Sequence, residues 1–409
     1  MKKIPPIVAI FLTILFDTIS FGLVIPDLQT RVNGLIPPGL PLWVGGLVIG
    51  FCLSIFSLAQ FLVAPFLGAL SDTRGRKSVL IFTCALSAAS AFMYIFANSI
   101  PIIVISRLLG GLAAANLGVA QAYVTDISTG EARAKSMGVL GMAFGVGFMI
   151  GPPLGVLLLH LGHGTPTYIG VAATFFALIN LVFVATTLKN QRAVAENGDG
   201  VKRSRWMLLT RAFRTGSLAK LLVAFFCFNF AFSHLESTYY LVGAQVYRVT
   251  EGQVTTVLIA VGLTSFLTQG LLLRALLPRL KEVVLLRLGY LTVCPAMFAI
   301  PYIQFGVLAY VGAAAFGLGN GVSQPSLNSL ISREAPAEIV GEIFGVTASL
   351  SALARIIAPS WANVLFRADP RYTYASATLF LVVALATALM YKPSVVPADP
   401  IATSEGMAS

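Results

Sequence analysis

The sequence predicts an all-α membrane protein, with twelve transmembrane helices forming two pseudo-symmetric six-helix bundles, and three observations carry that expectation. Of the 409 residues, 57% are hydrophobic and 11% charged, a balance that leaves too little polar surface to cover one or two soluble domains. Apolar windows of about 20 residues, each able to cross about 30 Å of hydrocarbon, recur at 7–26, 43–65, 79–97, 102–124, 136–158, 168–188, 219–242, 253–274, 285–304, 306–330, 340–364 and 373–391. The two halves also echo each other. Gly118-Val119-Ala120-Gln121 in the fourth span resembles Gly321-Val322-Ser323-Gln324 in the tenth, and both are followed by Glu-Ala, at Glu131-Ala132 and Glu334-Ala335. Gly138-Val139 and Pro152 in the fifth span match Gly345-Val346 and Pro359 in the eleventh at a constant offset of 207, the mark of a duplicated six-helix unit.

In chain order, the Met-Lys-Lys start is similar to a secretion signal, but the apolar run behind it is long and lacks a small-x-small cleavage pattern. It reads as a retained first helix, and it holds Asp17. The loop between spans two and three holds Gly68, Asp72, Gly75, Arg76 and Lys77. Span four opens with Arg107, carries Gln121 and ends near Asp126. Span five carries Gly147, Gly151 and Gly155 one turn apart, a smooth face for close helix approach. Pro152 within it frees a backbone carbonyl and bends the helix, which together predicts a sliding seam between the halves. Residues 189–218, rich in Lys, Arg, Asn, Gly and Ser, form a cytoplasmic linker between an N-terminal bundle, 1–188, and a C-terminal bundle, 219–391, with a cytoplasmic tail at 392–409.

The net charge of +11 would suit a nucleic-acid partner were it not so unevenly placed. With the N-terminus inside, 21 of the 27 Lys and Arg fall in inner segments, four in outer loops, and Arg107 and Arg355 in the membrane. This is the positive-inside asymmetry, so both termini are expected in the cytoplasm of a multi-pass inner-membrane protein, and no nucleic acid is required. Cys52, Cys84, Cys227 and Cys294 all fall in spans without C-x-x-C spacing and read as inert apolar residues. His160 and His163 have too few ligand neighbours for a metal. No H-E-x-x-H, paired catalytic aspartate motif or Ser/His dyad at usable spacing is present, which argues against an enzyme and calls for no cofactor.

A carboxylate at the bilayer centre costs about 2.5–3.5 kcal/mol on insertion scales, so it faces protein or water and often carries function. Asp17 lies about 15 Å along its helix from the inner start, a depth that Arg107 reaches from the other side. The two are expected to sense each other, either as a static ion pair or as a protonation switch. In span seven Asn229, Ser233, Glu236, Tyr239 and Tyr240 share one stripe. Thr347, Ser351 and Arg355 do so in span eleven, which makes a Glu236–Arg355 pair feasible. Span ten adds Asn320, Gln324 and Asn328, and span eight Ser265 and Gln269. Such stripes glue helices together, but this many polar groups on one axis favours a wet central cavity. A proton relay from His234 to Glu236 is disfavoured, because residues two apart point away from each other on a helix.

Four motifs in matching order then resemble those of the major facilitator superfamily, specifically its twelve-helix drug:proton antiporters. They are Asp17-x-x-x-x-Gly22-x-x-x-Pro26, Gly68-x-Leu70-x-Asp72-x-x-Gly75-Arg76-Lys77, Arg107-x-x-Gly110-Gly111 and Gly147-x-x-x-Gly151-Pro152-x-x-Gly155. Leu235 to Thr238 with the following tyrosines, and Ser349 to Pro359, are similar to tetracycline exporters and to the tetracycline-transporter-like (Tetran) subfamily. The chain departs from the pattern at Gly110, where the antiporters usually carry Gln, and at Val156, where they carry a second glycine. The resemblance implies that Asp72 favours the positive N-terminal end of span eleven near Gly341, and that Arg76 paired with Asp126 clamps the halves on the cytoplasmic side.

The function expected is a proton-coupled antiporter exporting amphipathic small molecules by alternating access, with an uncoupled facilitator or lipid flippase of the same fold as the alternative. Asp17, Arg107 and Glu236 are the proton-coupling residues. The substrate cavity draws on these and on Gln121, Asn229, Ser233, Tyr239, Tyr240, Gln269, Asn320, Gln324 and Arg355. Its partners are protons, a small amphipathic substrate and the lipid bilayer, and the expected state is a monomer.

Overall fold

The computed structural model describes residues 5–127, 143, 146–147, 150–188, 216–335 and 340–392, and every regular element among them is a helix. In order the long ones are α1 (Pro6–Leu35), α2 (Leu42–Arg74), α3 (Arg76–Tyr94), α4 (Ile100–Ala114, resuming as Asn116–Ile127), α5 (Ile150–Leu161), α6 (Thr167–Thr187), α7 (Gly216–Val242), α8 (Glu251–Leu267), α9 (Glu282–Ala299), α10 (Val307–Glu334), α11 (Val340–Ala368) and α12 (Pro370–Met390), with short helical segments after α7 and α8. Ten helices among the described residues are long and apolar enough to cross a bilayer. α10 has the length, 28 residues, but its amide ladder dilutes its hydropathy. The linker over 189–215, the tail over 393–409, and the Glu131-Ala132 and Gly138-Val139 parts of the internal echo lie outside the described residues.

The helices run past the expected ends. α1 has 30 residues and α2 has 33, about 45–50 Å at 1.5 Å per residue and well beyond the hydrocarbon thickness. Pro26 does not end α1, since proline is tolerated in membrane helices whose neighbours supply the lost contacts. What stops α2 is Gly75, whose φ of 90° and bond from its N–H to Ser71 O turn the chain directly into α3. α8 begins on a reciprocal cap between Thr250 and Gln253.

The duplication read in the sequence is visible in the packing. In the first half α3 lies against α4 and α6, α1 against α6, and α2 against α4. Six helices on, α9 lies against α10 and α12, α7 against α12, and α8 against α10. Each half is thus a bundle built to one plan. Between the halves the most extensive contact is α2 on α11. There Gly45 lies against the Arg367 side chain, Gly46 against the backbone of Asn363 and Val364, and Gly50 against the backbone of Ser360. A side chain at any of the three would collide, so glycine permits the approach. At the other ends of these helices a Cβ on Gly68 or Gly345 would meet no atom of the described residues within 4 Å. The two bundles therefore touch at one face and part toward the other.

The parted face is the basic one. Arg76 Nε donates to Asp126 at 2.9 Å and its Nη1 to Asp72 and to Ser71 Oγ, each at 2.6 Å. The second half repeats the clasp with the charges exchanged: Glu282 opens α9 and accepts from Ser329 at 2.7 Å and from Arg333 at 3.1 Å near the end of α10. Arg287 and Lys220 donate to carbonyls 388 to 391 at the end of α12, where the helix dipole favours cations. Tyr391 donates to Glu334 at 2.7 Å. Burial and the carboxylates of Glu334 and Glu282 hold its phenol above the usual tyrosine range, so it remains a donor at neutral pH.

Candidate functional site

A cavity of about 110 Å³ lies in the first bundle and reaches across to Arg355 of the second. Asp17, Thr18, Ser20 and Phe21 of α1 form one wall; Phe56 and Gln60 of α2, Ser87 and Ser90 of α3, and Arg107, Gly110 and Asn116 of α4 complete it. The wall is amphipathic, with hydroxyls and an amide beside an aromatic pair, Phe21 and Phe56, whose ring centroids are 4.8 Å apart.

Asp17 is the one carboxylate lining this cavity among the described residues. Its two oxygens accept from two neutral amides. Asn180 of α6 donates through Nδ2 to Oδ1 at 2.9 Å, and Asn116 of α4 donates to Oδ2. Asn116 stands at the break in α4, just past Ala115, and Gln60 Nε2 donates to Ala114 O across it at 3.0 Å. Their matching depth predicts that Arg107 and Asp17 sense each other. In the structure the described partners of Asp17 are amides, and the guanidinium of Arg107 turns to aromatic faces instead.

Arg107 is only 5% exposed and stands over Phe56 and Tyr94, with centroid distances of 5.7 and 5.6 Å. Its Nε has no hydrogen-bond partner although its side chain lines the cavity. Tyr94 Oη in turn donates to Asp27 Oδ2 at 2.7 Å, and Asp27 holds Arg31 through two bonds of 2.6 and 2.7 Å. Arg31 reaches on to Gly164 O at 2.8 Å. The arginine at the cavity wall is thereby tied to the closed face through a chain of contacts that runs from a buried ring face to an exposed carbonyl. Further closure comes from Gln29 Nε2 on Glu236 O at 2.6 Å and Arg367 on Asn33 Oδ1 at 2.6 Å.

The residues of the second half are distributed differently from the sequence reading. Arg355 lines the cavity, and its Nη2 donates to Ser351 Oγ at 3.2 Å, which donates to Asn229 Oδ1 at 3.0 Å, binding α11 to α7. The described ion pairs do not include Glu236 and Arg355. Ser233 is buried in the core of α7. Tyr240 is buried against Thr255 Oγ1 at 3.1 Å, and Tyr239 lines a small apolar pocket with Tyr247 and Phe316. Asn320 donates to Ser265 Oγ at 3.4 Å as helix glue, Gln324 is half-buried, and Gln121 and Gln269 are exposed. Arg355 apart, none of these described residues lines the main cavity.

The glycine seam of α5 meets α1 within the same bundle. Gly147 packs on Thr18, Gly151 on Gly22, and Gly155 on Leu23, with Pro152 against Gly22. In the motif loop Asp72 pairs with Arg76, and the side chain of Lys77 is half-buried. The described contacts do not join Asp72 to α11. His234 is wholly buried between Phe230 and Phe380, with Nδ1 on Phe230 O at 2.8 Å, and belongs to the core of α7 and α12. The residues missed in the sequence are Asn116, Asn180, Gln60 and Asp27. A lone amide in a long apolar run was the available signal for the first two.

The Major Facilitator Superfamily model matches residues 7–359 of the chain. Major facilitator superfamily domain-containing protein 10 of Bos taurus is 30% identical over 356 residues, covering 80% of this chain and 75% of its own. Multidrug resistance protein 1 of Bacillus subtilis (strain 168) is 24% identical over 397 residues, covering 96% and 98%. The crystal structure of the human organic anion transporter MFSD10 (TETRAN) superposes with a TM-score of 0.72 at 24% identity, over 95% of this chain and 99% of its own.

Proposed function

The chain belongs to the major facilitator superfamily of transporters, and within it we propose a proton-coupled antiporter that exports amphipathic small molecules by alternating access of its two bundles around the cavity. The observation that carries this reading is Asp17, an acid within the membrane that lines the cavity and is held by neutral amides. It gains or loses a proton without breaking an ion pair, so its charge is free to respond to the cavity's contents. The positive-inside rule assigns the basic face to the cytoplasm. On that assignment the packed α2–α11 seam closes the outer side, and the structure is the inward-facing state of the cycle.

The cavity also favours one class of substrate. With Glu236 outside it, two guanidinium groups, Arg107 and Arg355, face one carboxylate. That balance and the Phe21–Phe56 pair suit an amphipathic organic anion, and the human protein of similar fold is an organic anion transporter. The test uses purified protein in proteoliposomes with carboxyfluorescein as the anionic probe and ethidium as the cationic one. A proton gradient imposed in one direction is expected to drive carboxyfluorescein in the other, far faster than ethidium. Probe movement indifferent to the gradient would replace the antiporter by an uncoupled facilitator.

A further inference from the structure

We propose that Asn180 sets when Asp17 releases its proton, and that Asn116 passes the change to the break in α4; this deepens the proton-coupling reading and rests on it. Asn180 is wholly buried on α6. Its Nδ2 donates both to Asp17 Oδ1 at 2.9 Å and to the Thr13 carbonyl at 3.2 Å, while its Oδ1 has no partner. Two acceptors on one side fix the amide, because turning it over would set Oδ1 against a carbonyl and a carboxylate. Asn116 Nδ2 occupies the other oxygen of Asp17.

With both oxygens facing N–H donors, the arrangement fits the ionised acid. A proton on either oxygen points an O–H at a donor, and among the described residues the buried unpartnered acceptor in the cluster is Asn180 Oδ1. Protonation therefore either turns Asn180 away from Thr13 or releases Asn116. Release frees the first residue beyond the α4 break, while Gln60 still holds Ala114 on the near side of it. Discontinuous helices of this kind line the substrate sites of transporters. The proton itself exchanges with water in the cavity that Asp17 lines. The other titratable or charged groups facing Asp17 are Cys84 on α3, Arg107 on α4 and Arg355 on α11; its hydrogen bonds come from the two amides.

The experiment titrates Asp17 directly in the purified full chain, by the infrared carbonyl band of the protonated acid, identified by its loss in Asp17→Asn. Asn180→Leu keeps the volume and donates nothing, so the ionised form loses one of two charge-assisted bonds. The midpoint is expected to rise by about one pH unit, a tenfold gain in proton affinity. Asn180→Asp keeps the shape and sets a second carboxyl against the first, so the titration is expected to split into two coupled steps. An unchanged midpoint in Asn180→Leu overturns the proposal. Should that variant fail to fold, a single unshifted step in Asn180→Asp does so. No substrate enters this measurement, so gradient-independent transport would sink the coupling reading separately, whatever the midpoint does.

Discussion

Gln29 and Glu236 stand 207 positions apart in the chain and touch, Gln29 Nε2 donating to the Glu236 carbonyl at 2.6 Å. The bond joins α1 of the first half to α7 of the second at the closed face. Rocking of one bundle on the other must break it.

The seam beside that contact gives the first prediction. Gly50 admits the Ser360 backbone only because it has no side chain, so Gly50→Val blocks the closed seam and shifts the population toward the state open at that face. Spin labels at Leu40 and Tyr372, both exposed, should report a longer separation by pulsed electron resonance than in the unsubstituted chain. An unchanged distance distribution would remove the seam from the gating account.

The second prediction concerns Asp17. Asp17→Asn keeps the size of the side chain and abolishes proton exchange, so gradient-driven accumulation of carboxyfluorescein in proteoliposomes should vanish while thermal unfolding stays cooperative. The sign follows from the cavity: a permanently neutral residue resembles the protonated carrier, and external pH then loses its grip on the rate. Retained acceleration by a pH gradient would move the coupling carboxylate elsewhere, with Glu236 next in line.

Arg107 gives a third. Its guanidinium lines the cavity beside the Phe56 and Tyr94 rings and offers a charge-assisted bond to an anion in a polarisable setting. Arg107→Gln should weaken carboxyfluorescein binding by at least about tenfold, in line with about 1.5–3 kcal/mol for a hydrogen bond to a charged group. Arg107→Lys should fall between, since it keeps the charge and loses the planar face. Calorimetric titration at fixed ionic strength reads the difference, and equal affinities in all three proteins would exclude Arg107 as the docking point.

The span order and the Arg76–Asp126 contact were legible in the sequence. Hydropathy fixes which segments cross, and two opposite charges at the same end of neighbouring spans have short reach to each other. The expectation for Arg107 and Asp17 used depth alone, and depth does not fix the direction around a helix axis. Asp17 turns toward α6 and Arg107 toward α2 and α3. Asn180 was hidden because one amide in an apolar run is the ordinary signature of helix glue. Asp27 was hidden because Pro26 marked the end of the first span, whereas α1 continues for nine residues after it and buries that carboxylate.

The last prediction separates two bonds made by one guanidinium. Arg76 is 7% exposed and holds both Asp126, at 15%, and Asp72, at 47%. The first pair is shielded from water and spans α3 and α4; the second joins neighbours in sequence and is half in solvent. Exposed pairs contribute about 0–1 kcal/mol, and bonds to charged groups in sheltered positions about 1.5–3 kcal/mol. Asp126→Asn should therefore cost about 2 kcal/mol of stability in denaturant unfolding, and Asp72→Asn well under half of that. Turnover should rank them the other way. Asp72 has little to lose in the present state, where Gly68 and Gly345 face open space. When the basic face closes, its exposed carboxylate is placed to meet the positive end of α11, which begins at Val340. Asp72→Asn should then slow transport while leaving carboxyfluorescein affinity unchanged, because it disfavours the closed state and touches no cavity residue. A loss of affinity as large as the loss of turnover would place Asp72 in the binding step and end its assignment to the gate.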